Sequence, residues 1–281
     1  MSVEARHARQ AAGNDRDTLA RALDRAARQW LPSLLIVIGI LVVWEGYVRV
    51  FDVQTWLLPA PSDIGTALFN DAALLWKHTR ATLLEIIVGF GLALACGVGL
   101  ATAIGLSRTL ERAIYPFVIA SQTIPIIVIA PMLLIWVGYG LAPKVIVVAL
   151  ISFFPIVVNM VDGLKSVDRD MVNLMRTLGA RRLQIFFKVQ VPTSLPYLFS
   201  GMRVAIAVSV IGAVIGEWVG SSEGLGYLMI RSKPQFLTER VFAAIAILSA
   251  MGVGLFASIG IVERFAIPWW RAARGQQISE N

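Results

Sequence analysis

The sequence contains few of the residues from which catalytic and metal centres are built. It has one cysteine and two histidines in 281 residues, and no Cys/His group has the spacing of a metal site. It has neither the G-x-x-x-x-G-K-[ST] phosphate loop nor the H-E-x-x-H zinc motif. We therefore predict no catalytic residue, no metal site and no cofactor in this chain, and ATP cannot be bound here through a phosphate loop.

Charged residues are also scarce. They make up 15% of the chain, whereas 57% of its residues are hydrophobic and the mean hydropathy is +0.72. That is too little charge to cover the surface of a soluble protein of this size, so the composition predicts a polytopic membrane protein. The net charge of +7 is compatible with nucleic-acid binding. However, the basic residues cluster at the ends of apolar runs, which is typical of membrane orientation, and no nucleic-acid partner is predicted.

Six apolar runs are long enough to cross a bilayer, which takes about 20 mostly apolar residues. They lie near residues 31–51, 82–106, 113–137, 144–163, 196–219 and 241–263. The segments on one side of these spans carry 17 Lys and Arg residues, and those on the other side carry six. Because Lys and Arg concentrate in cytoplasmic loops, we predict an all-α protein with six transmembrane helices and both termini in the cytoplasm.

The chain is predicted to consist of three parts. Residues 1–30 form a basic cytoplasmic tail. Part of this tail either forms a helix that lies in the membrane interface with its apolar face buried, or is poorly ordered. Residues 31–270 form the transmembrane domain, and residues 271–281 form a second cytoplasmic tail.

The longest polar segment, within Val161–Leu198, interrupts the apolar runs and carries six basic residues. Its apolar residues recur at helical spacing on both sides of Gly179, which predicts two short amphipathic helices. Asp168 is predicted to cap the first helix, Gly179 to end it in a left-handed conformation, and Pro192 to end the second helix. Exposed apolar stripes on such helices require a partner that covers them.

The spacing in this segment is similar to a known signature. Gly179 is followed, after nine residues, by Val189-Gln190-Val191-Pro192. This resembles the coupling loop of permease subunits in bacterial binding-protein-dependent ABC importers, whose signature is Glu-Ala-Ala, three residues, Gly, nine residues, Ile-x-Leu-Pro. The acidic-Ala-Ala part is replaced here by Asn173-Leu174-Met175. The resemblance extends to Trp56–Ile64 and Gly216–Met229.

This resemblance implies a type I ABC importer in the bacterial inner membrane. The predicted partners are a second permease copy, a cytoplasmic ATPase that binds ATP and Mg, an external solute-binding protein and membrane lipid. The coupling loop corresponds to residues 164–195, and the ATPase is expected to contact Arg176, Gly179, Ala180, Arg181, Leu183, Phe186, Phe187 and Pro192. The amino-acid sequence of this loop resembles the branch of the family that transports nitrate, sulfonates, taurine, pyrimidine thiamine precursors or riboflavin. The segment Gly138–Asn159 favours the last two substrates.

Several polar positions within the spans are candidates for the wall of a substrate pathway. Prolines in the third span predict a break beside Gln122, Thr123 and Pro125, although a kinked packing helix would have the same sequence. Glu217, near the outer end of the fifth span, either lines this pathway or is solvated or paired at the interface. Asn159 lies where the fourth span approaches the coupling loop.

Two other classes of protein share some of these features. A self-contained secondary carrier or channel would also have six spans, but it has no use for exposed apolar stripes on a cytoplasmic loop. A membrane scaffold protein would display the loop but would lack a polar path.

Overall fold

The computed structural model describes residues 31–270, and every regular element in that range is helical. The chain divides into two units, residues 1–66 and 67–281. The two predicted cytoplasmic tails, 1–30 and 271–281, lie outside the described residues, so they and the predicted domain boundaries stay predictions.

The first unit contains helix α1, Leu31–Val50, and the beginning of α2, Pro61–Asn70. On α1, Arg49 Nε donates to Glu45 Oε1 at 3.0 Å, as expected for oppositely charged residues four apart on a helix. Both side chains also bind Ser62, whose backbone N–H donates to Glu45 Oε2 at 3.0 Å. This network fixes the start of α2 against the end of α1.

The second unit contains the remaining helices. Their bounds are α3 Ala72–Leu106, α4 Arg108–Ser121, α5 Ile126–Val137, α6 Leu141–Lys165, α7 Arg169–Thr177, α8 Arg182–Ile185, α9 Val191–Gly220, α10 Leu225–Ser232 and α11 Thr238–Ala266. A π-helical turn, Phe186–Gln190, joins α8 to α9, and a 3₁₀ turn, Lys233–Gln235, follows α10.

Within the described residues, five helices are long and apolar enough to cross a membrane. The predicted third span is a pair of helices instead, because α4 and α5 meet at an angle of 100°. The break falls at residues 122–125, where Pro125 disfavours a helical conformation of the preceding residue. Counting the pair as one span gives the six that were predicted, and the expected break is confirmed.

Helix α6 lies between α3 and α9, and glycines allow these helices to approach closely. On α3, Gly89, Gly97 and Gly105 face Val148, Ile156 and Leu164 of α6, so the two helices run parallel with matched spacing of eight residues. A Cβ at Gly97 would lie 2.9 Å from Ile156 Cγ2. Gly91 and Gly99 of α3 have open space beside them and take no part in this packing.

The contact between α6 and α9 brings glycines against backbone atoms of the facing helix. A Cβ at Gly201 of α9 would lie 2.7 Å from the carbonyl oxygen of Pro155, and one at Gly163 of α6 would lie 2.9 Å from Ser194 Cα. Farther along the same antiparallel pair, Gly216 of α9 faces Lys144 of α6. Because these glycines have no Cβ, α3, α6 and α9 pack closely and form the centre of the unit.

Candidate functional site

The coupling loop begins with α7, whose two ends are capped as the sequence predicts. The Asp168 side chain accepts a hydrogen bond from the backbone N–H of Asp170 at 2.8 Å. At the other end Gly179 has φ +79°, and the N–H of Ala180 donates to the carbonyl of Met175 at 2.9 Å. The N–H of Gly179 also donates to Arg176, which completes a Schellman motif.

The second half of the loop differs from the prediction at Pro192. Helix α8 continues through the π-helical turn directly into α9, so Arg182–Gly220 forms one uninterrupted helical segment. Pro192 lies in the first turn of α9 and does not end a helix. Pro192 has no N–H to donate. The backbone accommodates it because the preceding π turn has hydrogen bonds between residues five apart, such as that from the N–H of Val191 to the carbonyl oxygen of Phe186.

The apolar stripe of this loop consists of fewer side chains than predicted. Leu183 and Phe187 are 58% and 59% exposed, and Leu174 and Met171 of α7 are exposed as well. Phe186, by contrast, is 1% exposed and packs in a core cluster with Ile104 and Leu164. The prediction that Phe186 meets a partner is therefore wrong for this structure, because adjacent helical residues point in different directions and 186 points inward.

Three further predicted coupling residues lie in the same loop. Arg176 and Arg181 are exposed and Ala180 is half-buried. The backbone N–H of Arg181 donates to Gln184 Oε1 at 2.7 Å, which caps α8. Arg182 Nη2 reaches the carbonyl oxygen of Leu106 at 2.6 Å and so ties α8 to the end of α3. The contact of Arg176, Ala180 and Arg181 with an ATPase stays a prediction.

The predicted pathway residues fall in separate places. Gln122, Thr123 and Pro125 are exposed at the break between α4 and α5. Asn159 is half-buried on α6, where its amide donates to the carbonyl oxygen of Pro155 at 2.8 Å. A role for these four residues in a pathway stays a prediction.

Glu217 does not face open water in this structure. It is 1% exposed, and its Oε1 accepts a hydrogen bond from Thr82 Oγ1 of α3 at 2.6 Å. Its Oε2 accepts from the backbone N–H groups of Gly226 at 2.5 Å and Tyr227 at 3.3 Å. The geometry corresponds to the paired alternative for Glu217 and not to a side chain that lines an open path.

The same contacts hold the segment between α9 and α10, residues 221–224, against α3. The N–H of Gly224 donates to His78 Nδ1 at 2.9 Å, and the N–H of Leu225 donates to Thr82 Oγ1 at 2.9 Å. Gly224 has φ +118°, and a Cβ there would overlap the carboxyl group of Glu217. Only glycine combines this backbone conformation with so close an approach.

An ion pair completes this group of buried side chains. Glu85 lies on α3 one turn beyond Thr82, and its Oε1 accepts from Lys144 Nζ of α6 at 2.5 Å. We call His78, Thr82, Glu85, Lys144 and Glu217 the polar cluster. Buried charges of this kind persist in apolar surroundings only where they are paired.

The rim of the polar cluster carries an exposed ion pair between Lys77 and Glu223, with Nζ and Oε1 2.9 Å apart. The hydrogen bond and the positive charge from Lys77 hold the pKa of Glu223 below its usual range. This contact ties the same loop to α3 a second time.

Most of the polar cluster was missed by the sequence analysis. His78 lies before the predicted start of the second span at residue 82, but α3 begins at Ala72 and includes it. The signal that would have found the cluster is the spacing of His78, Thr82 and Glu85, which share one helix face at i, i+4 and i+7 in an otherwise apolar run.

Comparison with known proteins assigns the chain to a family. The profile of the family described as binding-protein-dependent transport system inner membrane component matches residues 87–267. The chain belongs to this family. It is a permease of an ABC importer in the inner membrane, and the predicted resemblance is confirmed.

Two relatives cover nearly the whole permease. The formylaminopyrimidine transport permease protein ThiX of Halalkalibacterium halodurans is 41% identical over 242 residues, covering 86% of this chain and 96% of the relative. The riboflavin transport system permease protein RibX of Chloroflexus aurantiacus is 36% identical, covering 85% of this chain and 89% of the relative. A putative aliphatic sulfonates permease, SsuC of Bacillus subtilis, is 27% identical.

The fold of the permease is similar to that of the inward-facing MetNI methionine ABC transporter. The TM-score is 0.61 with 19% identity, and the match covers 69% of this chain and 96% of that chain. This likeness supports the type I importer fold that the sequence predicts.

Proposed function

We propose that this permease moves a small pyrimidine of the formylaminopyrimidine class. The supporting observation is its identity of 41% with the ThiX permease over 86% of its length, compared with 36% for the riboflavin permease and 27% for a sulfonate permease. Riboflavin is the second candidate, because it is also a flat nitrogen heterocycle. Sulfonate, taurine and nitrate are the more distant alternative.

The proposed assembly contains two copies of the permease, a pair of cytoplasmic ATPases and an external solute-binding protein. Six spans are few for enclosing a hydrophilic path, so we expect two copies to face each other across it. The ATPases bind ATP and Mg, and this chain performs no covalent chemistry. The exposed side chains of Leu183 and Phe187 support a contact with the ATPase, because they stand out from a loop whose neighbouring Phe186 is anchored in the core.

Motion of the ATPase pair is proposed to reach the path through this loop. ATP binding closes the pair, and the shift of Leu183 and Phe187 moves α9 and the helices packed on it. The path then alternates between two states, one open to each side. A secondary carrier is disfavoured, because the family is that of binding-protein-dependent systems.

Reconstituted transport tests the proposal. The permease is placed in proteoliposomes with the ATPase and the binding protein encoded beside it, and uptake of labelled formylaminopyrimidine, riboflavin and taurine is measured with and without ATP. We expect ATP-dependent uptake of formylaminopyrimidine that requires the binding protein. Uptake of taurine alone would contradict the substrate, and uptake by the permease alone without ATP would contradict the assembly.

A further inference from the structure

Consecutive backbone N–H groups at the start of α10, those of residues 224–227, are bound by side chains of other helices. The first two donate to side chains of α3, at 2.9 Å each. The next two donate to the carboxyl group of Glu217 on α9. The first N–H groups of a helix have no partner within it, so the polar cluster serves as the N-terminal cap of α10.

The carboxyl groups of Glu85 and Glu217 lie in one buried space behind this helix start. Thr82, which donates to Glu217 Oε1, is three residues from Glu85 on the same face of α3. Lys144, which donates to Glu85, faces Gly216, the residue before Glu217. The two carboxyl groups are thereby in hydrogen-bonding contact, and each glutamate is 1% exposed.

This contact requires a proton. Ionised carboxylates only accept hydrogen bonds, so one of two carboxyl groups that bond to each other is protonated. Two ionised carboxylates would also leave a net negative charge away from water, because Lys144 compensates only one of them. His78 does not supply a second positive charge. Its Nδ1 accepts the N–H of Gly224, so the imidazole is neutral.

Other titratable groups on the elements around the polar cluster have partners of their own. They are Lys77 with Glu223, Arg240 with Asp71, and the exposed Arg231 with the hydroxyl of Tyr227. Among the lysines and arginines of residues 31–270, only Lys144 is buried. The charge of the second carboxyl group is therefore left for a proton to neutralise.

We propose that Glu85 and Glu217 hold one proton between them, and that docking of α10 on the polar cluster takes up this proton. The proton belongs to the pair, because two carboxyl groups in contact titrate as a unit. When α10 leaves, the carboxyl groups meet water and the proton passes to it, so that both carboxylates are ionised beside a single Lys144. Docking and proton binding stabilise each other, and docking weakens as the pH rises.

The position of the cluster determines which side of the membrane is sensed. It lies at the end of α9 opposite to the coupling loop, and on the predicted topology this is the external side. The external pH would then bias the conformation of α10 without any change in the transported substrate.

Hydrogen exchange of the full-length permease in detergent, followed by mass spectrometry, measures docking through the amides of residues 224–227. The rates are corrected for intrinsic exchange and compared between about pH 7 and pH 9. This range lies above the ordinary histidine pKa of about 6.5, so titration of free histidine does not contribute. Infrared spectroscopy detects the protonated carboxyl group itself.

Matched variants separate the shared proton from the ion pair. E85Q replaces the proton by an amide N–H that can donate to Glu217, and it leaves one carboxylate for Lys144. E217Q does the same from the other helix, so the test does not depend on a single variant. The control E223Q removes the exposed carboxylate of the rim pair. H78Q removes the imidazole that accepts from Gly224.

In the unmodified chain we expect the protection of these amides to fall with pH by up to about tenfold per pH unit, the dependence that one proton gives. E85Q and E217Q should each keep the protection constant over this range and lose the infrared band of the protonated carboxyl group. E223Q should retain both the pH dependence and the band.

Other results would overturn the proposal. Constant protection in the unmodified chain, without a protonated carboxyl band, would mean that Lys144 and the hydrogen bonds hold both carboxylates in ionised form. Equal loss of protection in E85Q at every pH would reduce Glu85 to its ion pair. A pH dependence that E223Q abolishes would belong to the rim pair, and one that H78Q abolishes but E85Q retains would belong to His78.

Discussion

Glu217 is the residue on which the loop between α9 and α10 depends most. Its carboxylate accepts three hydrogen bonds, from Thr82 Oγ1 and from the N–H groups of Gly226 and Tyr227. All three bonds are shielded from solvent, because Glu217 is buried at the end of α9. Removing the acceptor leaves the N–H groups of Gly226 and Tyr227 without this partner in a place that water does not readily reach, whereas Thr82 Oγ1 keeps the carbonyl oxygen of His78 at 3.2 Å.

We predict that Glu217→Ala lowers the free energy of unfolding by about 2–5 kcal/mol, because each unsatisfied buried group costs about 1–3 kcal/mol. Glu217→Gln should cost less, since the amide oxygen still accepts from Gly226. The matched control is Glu223→Ala, which removes an exposed carboxylate paired with Lys77 and should leave the stability nearly unchanged, because exposed ion pairs are screened by water. Thermal unfolding of the detergent-solubilised chain distinguishes them, and equal losses would show that the three bonds are unimportant.

Gly179 tests whether backbone conformation alone positions the coupling loop. Its φ is +79° and no atom lies within 4 Å of where its Cβ would be, so a side chain there meets strain but no collision. Gly179→Val should cost roughly 1–2 kcal/mol and reduce co-purification of the ATPase. Gly179→Asn should retain more of it, because asparagine tolerates the left-handed region. Equal capture of the ATPase by the valine variant and the unmodified chain would contradict this.

The π turn between α8 and α9 begins with two adjacent phenylalanines that have opposite environments. Phe187 is exposed and Phe186 is buried, although their rings are in edge-to-face contact with centroids 5.2 Å apart. We predict that Phe187→Asp releases the ATPase and leaves thermal stability nearly unchanged. Phe186→Ala should instead lower stability by about 3–5 kcal/mol through the cavity it leaves. Pull-down of the ATPase and thermal unfolding of both variants separate the two roles, and the reverse pattern would exchange them.

The contact between α3 and α6 provides a matched pair of glycines on one helix. A Cβ at Gly97 would lie 2.9 Å from Ile156, whereas Gly99 has no neighbour within 4 Å. Gly97→Val should therefore force the two helices apart and cost about 1–3 kcal/mol. Gly99→Val should be close to neutral. Yield of the folded chain and its thermal unfolding measure both, and similar losses at the two positions would mean that helix propensity, not packing, determines the outcome.

The elements were predictable from sequence to the extent that local chemistry determines them. Asp168 and Gly179 cap α7 as expected, because caps depend on a few neighbouring residues. The prediction that Pro192 ends a helix was wrong, because whether a proline ends a helix depends on the hydrogen bonds of the turn before it. The prediction that Phe186 contacts the ATPase was wrong, because the burial of Phe186 depends on Ile104 and Leu164, which are distant in sequence.

At the scale of the whole molecule, the orientation in the membrane follows from the distribution of basic residues and stays a prediction. Cysteine labelling tests it in a Cys96→Ser background, which is needed because Cys96 is exposed. Tyr139→Cys and Leu178→Cys each replace a strongly exposed side chain outside the spans. In intact spheroplasts a membrane-impermeant maleimide should label position 139 and spare 178 until the membrane is opened. Labelling of 178 first would invert the topology.

The candidate site was less accessible from sequence than the fold. The six spans follow from composition, and the coupling loop from one glycine and its spacing. The polar cluster joins Thr82 to Glu217 and Glu85 to Lys144, pairs that are 135 and 59 residues apart. A single sequence contains no direct signal for such long-range pairs, so Glu217 appeared as an isolated charge whose partners were unknown.

The continuous segment Arg182–Gly220 has a mechanical consequence. At 1.5 Å per residue its 39 residues extend over about 58 Å, of which about 51 Å separates Leu183 at the coupling loop from Glu217 in the polar cluster. Phe186 is embedded in the core close to one end, so it can serve as a fulcrum with a short arm on the Leu183 side and a long arm on the Glu217 side. A small displacement of the short arm would then be amplified at the far end. The π turn and the prolines at 192 and 196 interrupt the regular helical hydrogen bonds just beyond Phe186, so the helical segment can bend there. Part of each displacement is then taken up as bending.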